Sequence, residues 1–240
     1  MRPVTALPVT ALPVTALPDA VLWDMDGTLV DTEPLWIAAE TELVREHGGT
    51  WTHQDGLALV GNPLLVSGEI LVRRSGIDLT PAQVVDALLE RMVVAVRGSA
   101  PFRPGARELL LACVEAGIPN ALVTMSWTSL SDAFLASLPE GTFAAVVTGD
   151  QVEHGTPHPE PYLTAAARLG VDPSRCVAIE DSVPGVASAE AAGCRVLAMP
   201  LHVPLGPGVG RSRLPGFEGL DVAMLGRLAA GSVVDLLPTG

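Results

Sequence analysis

A short apolar run, Ala20-Val21-Leu22-Trp23, stops abruptly at Asp24-Met25-Asp26-Gly27-Thr28, and no other stretch constrains the chain as much. The run is long enough for a buried strand. Open α/β sheets gather their ligands at the carboxyl ends of such strands, where these acids stand. Residues i and i+2 of a strand point to one side, so Asp24 and Asp26 face one site if the backbone stays extended. Gly27 permits a sharp turn there, and Thr28 offers a hydroxyl and an N–H to an anion. Two neighbouring carboxylates repel, and they require a cation, a shared proton or different environments. Mg²⁺, a hard cation with oxygen ligands, meets that requirement and suits a phosphate ester. The plainer alternative is a polar turn with two solvated acids.

The rest of the chain reads as alternating elements with one interruption. Residues 33–99 carry only helical patterns: Thr32 is placed to cap the first helix, Trp36, Ala39 and Leu43 share one face of it, and Val84, Leu88, Met92 and Val96 share a face of another. Beyond Arg103-Pro104-Gly105, strands expected at 121–124, 143–148, 176–180 and 196–199 alternate with helices. That pattern predicts a parallel sheet covered on both faces. The predicted architecture is therefore an α/β Rossmann-like core over residues 19–32 and 100–240, with an all-helical insertion over 33–99. Residues 4–18 repeat Val-Thr-Ala-Leu-Pro, and proline every fifth residue predicts an extended, disordered tail over 1–18. Residues 201–219, rich in Gly and Pro, read as loop. Their Gly206-x-Gly-x-Gly spacing lacks the strand and helix that would frame a nucleotide loop.

Composition narrows the partners. A net charge of −13 leaves no electrostatic footprint for nucleic acid or an anionic membrane surface. All 14 basic residues are arginine, and the chain has no lysine. Cys113, Cys176 and Cys194 show no paired spacing and read as small buried hydrophobes. No run of apolar residues is long enough to span a membrane, and no basic segment precedes an apolar block, so a cytoplasmic protein is expected.

Three further junctions carry polar residues at the expected ligand edge. Thr124-Met125-Ser126 follows one strand, with a hydroxyl and free backbone N–H groups suited to phosphoryl oxygens, although Ser and Thr are also ordinary helix caps. Glu180-Asp181 follows another, reading either as metal ligands or as an acidic helix start favoured by the macrodipole. Between them lies Glu153-His154-Gly155-Thr156-Pro157-His158-Pro159-Glu160. His154 and His158 are four apart, but Pro157 and Pro159 preclude a helical two-His metal face, so a loop role is expected.

Taken in order, these four segments resemble the motifs of the haloacid dehalogenase superfamily, and Asp31-Thr32-Glu33 resembles its β-phosphoglucomutase-like branch. The resemblance spans Ala20 to about Met199. It implies Mg²⁺-dependent hydrolysis of a small phosphorylated metabolite, with the helical insertion as a cap. Asp24 is then the nucleophile and Asp26 the acid–base. Asp24, Asp26 (through its carbonyl), Asp181 and Glu180 serve the metal. Thr124 and the Met125 N–H hold the phosphoryl group, with Thr156 at the third motif. Thr156 stands where the family carries a lysine, which implies slow turnover unless His154, His158 or Arg103 supplies the charge. Two other readings stay open: a phosphate-binding protein with little or no turnover, and a phosphomutase, although no arginine follows Gly61-Asn62-Pro63 to hold a second phosphate. The resemblance leaves oligomeric state open.

Overall fold

The computed structural model describes residues 17–98 and 100–238, so the tail expected over 1–18 lies almost wholly outside the described residues. Strand β1 (Ala20–Trp23) is buried along its whole length. It pairs in parallel with β2 (Asn120–Val123) on one side and β4 (Cys176–Glu180) on the other, with Leu22 opposite both Ala121 and Ala178. With β3 (Ala145–Val147), β5 (Arg195–Ala198) and β6 (Ser212–Arg213), the order across the sheet is β3-β2-β1-β4-β5-β6. The chain runs outward from β1 through β2 to β3, then returns to the far side of β1 for β4. Ligand crevices form where the order reverses in this way.

Alternation along the strands splits the core in two. Val21, Trp23, Leu122, Val177 and Ile179 join one buried cluster, while Ala20, Leu22, Ala121, Val123 and Ala178 join the other. Helices α7 (Glu160–Leu169) and α8 (Val183–Ala191) cover the second face. The first face is covered by α5 (Ala106–Glu115), α6 (Thr128–Leu135) and α9 (Val222–Ala229).

Four helices intervene between β1 and α5: α1 (Glu33–Glu46), α2 (His53–Leu57), α3 (Leu64–Ser75) and α4 (Pro81–Gly98). Helix α4 packs on α1, α3 and α6, joining the helical insertion to the core. Among the described residues no helix is long and apolar enough to cross a membrane. All three cysteines are free and buried.

Two local expectations are corrected. Residues 201–219 are not all loop, because Ser212 and Arg213 pair in parallel with Leu197 and Ala198. This edge strand has no pattern of its own. It is held by the buried Arg213 guanidinium, which bonds the Leu205 carbonyl at 2.9 Å and Asp235 at 2.9 Å. Nor does the Thr32 hydroxyl cap α1. It donates instead to Asp26 Oδ1 at 2.5 Å.

Candidate active site

The carboxyl ends of β1, β2 and β4 converge on one cavity of about 80 Å³, roofed by the helical insertion. β1 ends at Trp23, and Asp24 leaves the strand as the chain turns through Met25 to Gly27. Asp24 and Asp26 consequently point to different partners. Asp24, buried, joins Glu180 and Asp181 at the end of β4, and these three offer ligand oxygens all within 4.8 Å of one another. Asp26 turns its carboxylate toward the roof and β2. Its Oδ1 accepts from Thr32 and from Trp36 Nε1 at 3.2 Å, and its Oδ2 accepts from Ser126 Oγ at 2.7 Å and Thr124 Oγ1 at 3.3 Å. Both acids line the one cavity, as expected, but the chain turns at Gly27 and the side chain of Asp26 lies outside the cluster of candidate ligands.

Backbone room makes the cluster possible. Gly27 adopts φ +87°, and a Cβ there would collide with the Asp181 carboxylate. A Cβ at Gly185, in the first turn of α8, would collide with the Glu180 carboxylate. Glu180 is tied by the Ser182 N–H at 2.9 Å, the Ser182 hydroxyl at 3.0 Å and the Tyr162 hydroxyl at 3.1 Å. Asp24 Oδ2 and Asp181 Oδ1, by contrast, are buried without a hydrogen-bond partner. Such oxygens cost free energy unless something pairs with them.

The electrostatics agree. Burial, then repulsion from Glu180, Asp181 and Asp26, pushes the Asp24 carboxyl well above its ordinary range. Burial first and Glu180 second do the same to Asp181, opposed by Arg103. Burial lifts Glu180 only to about 6, because its hydrogen bonds favour the ionised form. A divalent cation among hard oxygens would relieve all three, and the free oxygens fit one.

Arg103 lies under this floor rather than in it. Its Nη1 donates to the Gly27 carbonyl at 2.7 Å and the Met199 carbonyl at 2.9 Å, securing the turn after Asp26. No arginine, lysine or histidine lines the cavity among the described residues. Thr124 is buried, with its oxygen accepting from the Ser126 N–H at 3.0 Å. Met125 and Thr156 both line the wall, and the Thr156 N–H points at the Met125 sulfur, 3.3 Å away. The Thr156 hydroxyl donates to the Gly61 carbonyl of the helical insertion at 2.9 Å, so it bridges roof and core.

Residue patterns did not single out the site roles of Ser126, Trp36, Tyr162, Glu33 and Glu40. Ser126 and Trp36 reach Asp26, and Tyr162 orients Glu180. Glu33 and Glu40 lie seven apart on α1 and face the cavity. That spacing brings two acids to one helical face, a signal present in the sequence but shared with many solvated helices.

The profile of the haloacid dehalogenase-like hydrolases matches residues 18–193. Hexitol phosphatase B of Escherichia coli is 32% identical over 184 residues, covering 75% of this chain and 83% of that protein. Fructose-1-phosphate phosphatase YqaB of the same organism is 33% identical over 187 residues, covering 72% and 92%. Among solved structures, CbbY from Rhodobacter sphaeroides in complex with phosphate superposes with a TM-score of 0.73 at 28% identity, covering 85% of this chain and 96% of that one. A β-phosphoglucomutase from Clostridium difficile shares the fold, with a TM-score of 0.78 at 18% identity over 89% and 98% of the two chains.

Proposed function

The chain belongs to the haloacid dehalogenase-like hydrolases and acts on phosphate esters, and on that premise we propose that it hydrolyses a small phosphate monoester through Asp24. The observation that carries this reading is the meeting of Asp24, Glu180 and Asp181, with orphaned oxygens on Asp24 and Asp181, beside a separately oriented Asp26. Mg²⁺, held by Asp24, Asp181 and the Asp26 carbonyl with Glu180 assisting, would supply positive charge against the phosphoryl oxygens.

Asp24 attacks phosphorus and the alkoxide departs, leaving an aspartyl-phosphate on the Asp24 carboxyl. Asp26 gives its proton to the departing oxygen and then takes one from the water that cleaves the acyl phosphate. Thr32, Trp36 and Ser126 hold Asp26 in a single orientation for both transfers, which is how a positioned group gains over one in water. The Met125 N–H and Thr156 border the phosphoryl position, and Thr124, bonded to Asp26 and the Ser126 N–H, supports that wall. Residues 33–99 act as a cap over the core, hinged near 31–33 and 98–104. Its closure excludes bulk water and strengthens every charge interaction inside.

That no basic side chain lines the cavity among the described residues favours a substrate with a single anionic group. That feature speaks for hydrolysis over a phosphomutase, whose bisphosphate intermediate needs a cation at each end. The test is turnover of an aryl phosphate and of hexitol and hexose monophosphates with Mg²⁺. Asp24→Asn is expected to lower kcat by about 10⁴-fold or more while the protein stays folded. Turnover undiminished in Asp24→Asn would overturn the mechanism.

A further inference from the structure

A second group of metal-competent side chains lies on the segment that carries Thr156. Pro157 and Pro159 do keep His154 and His158 off a common helical face, yet the loop brings the two rings to a centroid separation of 4.7 Å, tilted by 36°. Glu160, the first residue of α7, completes the group, and the three side chains offer ligand atoms all within 4.8 Å of one another. His154 Nδ1 is 3.0 Å from Glu160 Oε2, and His158 Nδ1 is 3.9 Å from the same oxygen. Ligands at metal–donor distances of about 2.1 Å in a tetrahedron stand roughly 3.4 Å apart, between these two values. The carboxylate is held in place by the chain itself. The Glu153 N–H donates to Oε1 at 2.8 Å and the His154 N–H to Oε2 at 3.0 Å, the kind of support that orients a ligating carboxylate.

We propose that His154, His158 and Glu160 form a surface site for a borderline divalent transition ion, Zn²⁺ or Ni²⁺ in chemical class, separate from the acidic centre at Asp24. Two imidazoles and one carboxylate suit such an ion, whereas Mg²⁺ takes oxygen ligands and retains water. Both imidazoles are half exposed, so water has access to the fourth corner. Loading displaces the proton that His154 Nδ1 shares with Glu160, and the long 3.3 Å bond from the Glu160 N–H to His158 Nδ1. Neither loss disturbs the core.

The consequence reaches the cavity through Thr156, which lies between the two histidines in sequence and bonds Gly61 of the helical insertion. An ion that clasps residues 154–160 restrains the segment on which this bridge is mounted. It also places positive charge on the cavity's third-motif side, where no basic side chain lines the wall among the described residues.

Zn²⁺ calorimetry and Co²⁺ absorption on the full chain test the site, with Asp24→Asn/Asp181→Asn as the background that removes the acidic centre. One equivalent of Zn²⁺ is expected to bind in that background. The affinity should fall at least tenfold in either His154→Ala or His158→Ala added to it, and Co²⁺ should give the intense visible bands of a low-coordinate site. Glu160→Gln, which keeps one acceptor oxygen and so one of the two backbone N–H bonds, should weaken Zn²⁺ without loss of helicity. No uptake in the double-Asn background, or uptake unchanged by removing both histidines, overturns the proposal. Because these readouts do not involve turnover, they stand or fall independently of the Asp24 mechanism.

Discussion

The floor and the roof of the cavity both bury carboxylates, but they handle the charge differently. On the floor, Asp24 and Asp181 leave oxygens without partners, within ligand distance of Glu180. On the roof, Glu40 is anchored by Trp51 Nε1 at 2.9 Å, and Glu33 stands seven residues away on α1. Burial, then repulsion from Glu40, Asp26 and Asp31, lifts Glu33 to about 8, and burial lifts Glu40 to about 7 despite the Trp51 bond. Burial alone therefore does not make a metal site. What separates floor from roof is convergence: free oxygens held together by Gly27, Gly185 and Ser182 on one side, and acids spaced along a helix on the other.

The largest test of this contrast is substrate charge. Given the proposed cation and phosphoryl group on the floor, a roof with two acids and, among the described residues, no base should reject a second anion. Above about pH 8, where Glu33 and Glu40 are ionised, a ketohexose 1-phosphate is expected to exceed the corresponding 1,6-bisphosphate by roughly a thousandfold in kcat/KM, since juxtaposed like charges cost several kcal/mol. The ratio should shrink at about pH 6, where both acids are protonated. Equal values would show that the roof does not face the leaving group.

Stability against pH takes in the buried acids of floor and roof alike, and Glu40→Gln isolates one share of it. Above pH 4.5 the unfolded chain releases the Glu40 proton, while the folded carboxyl keeps it until about pH 7. The folded state binds more protons across that window, so stability falls as pH rises through it. The rise from 4.5 to about 7 corresponds to about 3 kcal/mol for this buried group. Glu40→Gln, which can still accept from Trp51, should flatten the metal-free urea-unfolding profile between pH 5 and 8 by that amount. A profile as steep as the wild type's would mean that Glu40 is not the group responsible.

A smaller effect is expected where floor and roof meet. Thr156→Lys sacrifices the hydroxyl bond to Gly61, worth about 1 kcal/mol. It introduces a cation beside the phosphoryl position, and kcat should rise about a hundredfold. It should also narrow the discrimination against bisphosphates. A folded, metal-binding Thr156→Lys protein with unchanged or lower kcat would indicate that Arg103, beneath the floor, already supplies the charge required.

Strand positions, helix spans and the acids at strand ends were legible because each is written within about ten residues. An apolar run, a glycine turn and an adjacent pair of acids are local facts, and β1 and β4 follow from them with few alternatives, whereas the grouping of Asp24 with Asp181 came from the family resemblance. Side-chain direction is not local. Asp26 leaves the Asp24 cluster because Ser126, a hundred positions away, and Thr32 and Trp36 at the start of the helical insertion attract its oxygens. Thr32 looked like a cap because residue type alone does not reveal a competing acceptor. β6 escaped notice because two residues carry no period, and Arg213 holds them from the side. The two histidines looked unrelated for a similar reason, since a helix was the only geometry their spacing could be tested against. The sequence by itself determined strands β1 to β5, the helical insertion and the list of acids. Only the tertiary structure decided which acids meet, because hydrogen-bond partners arrive from distant segments and a carboxylate turns toward whichever donor the fold delivers.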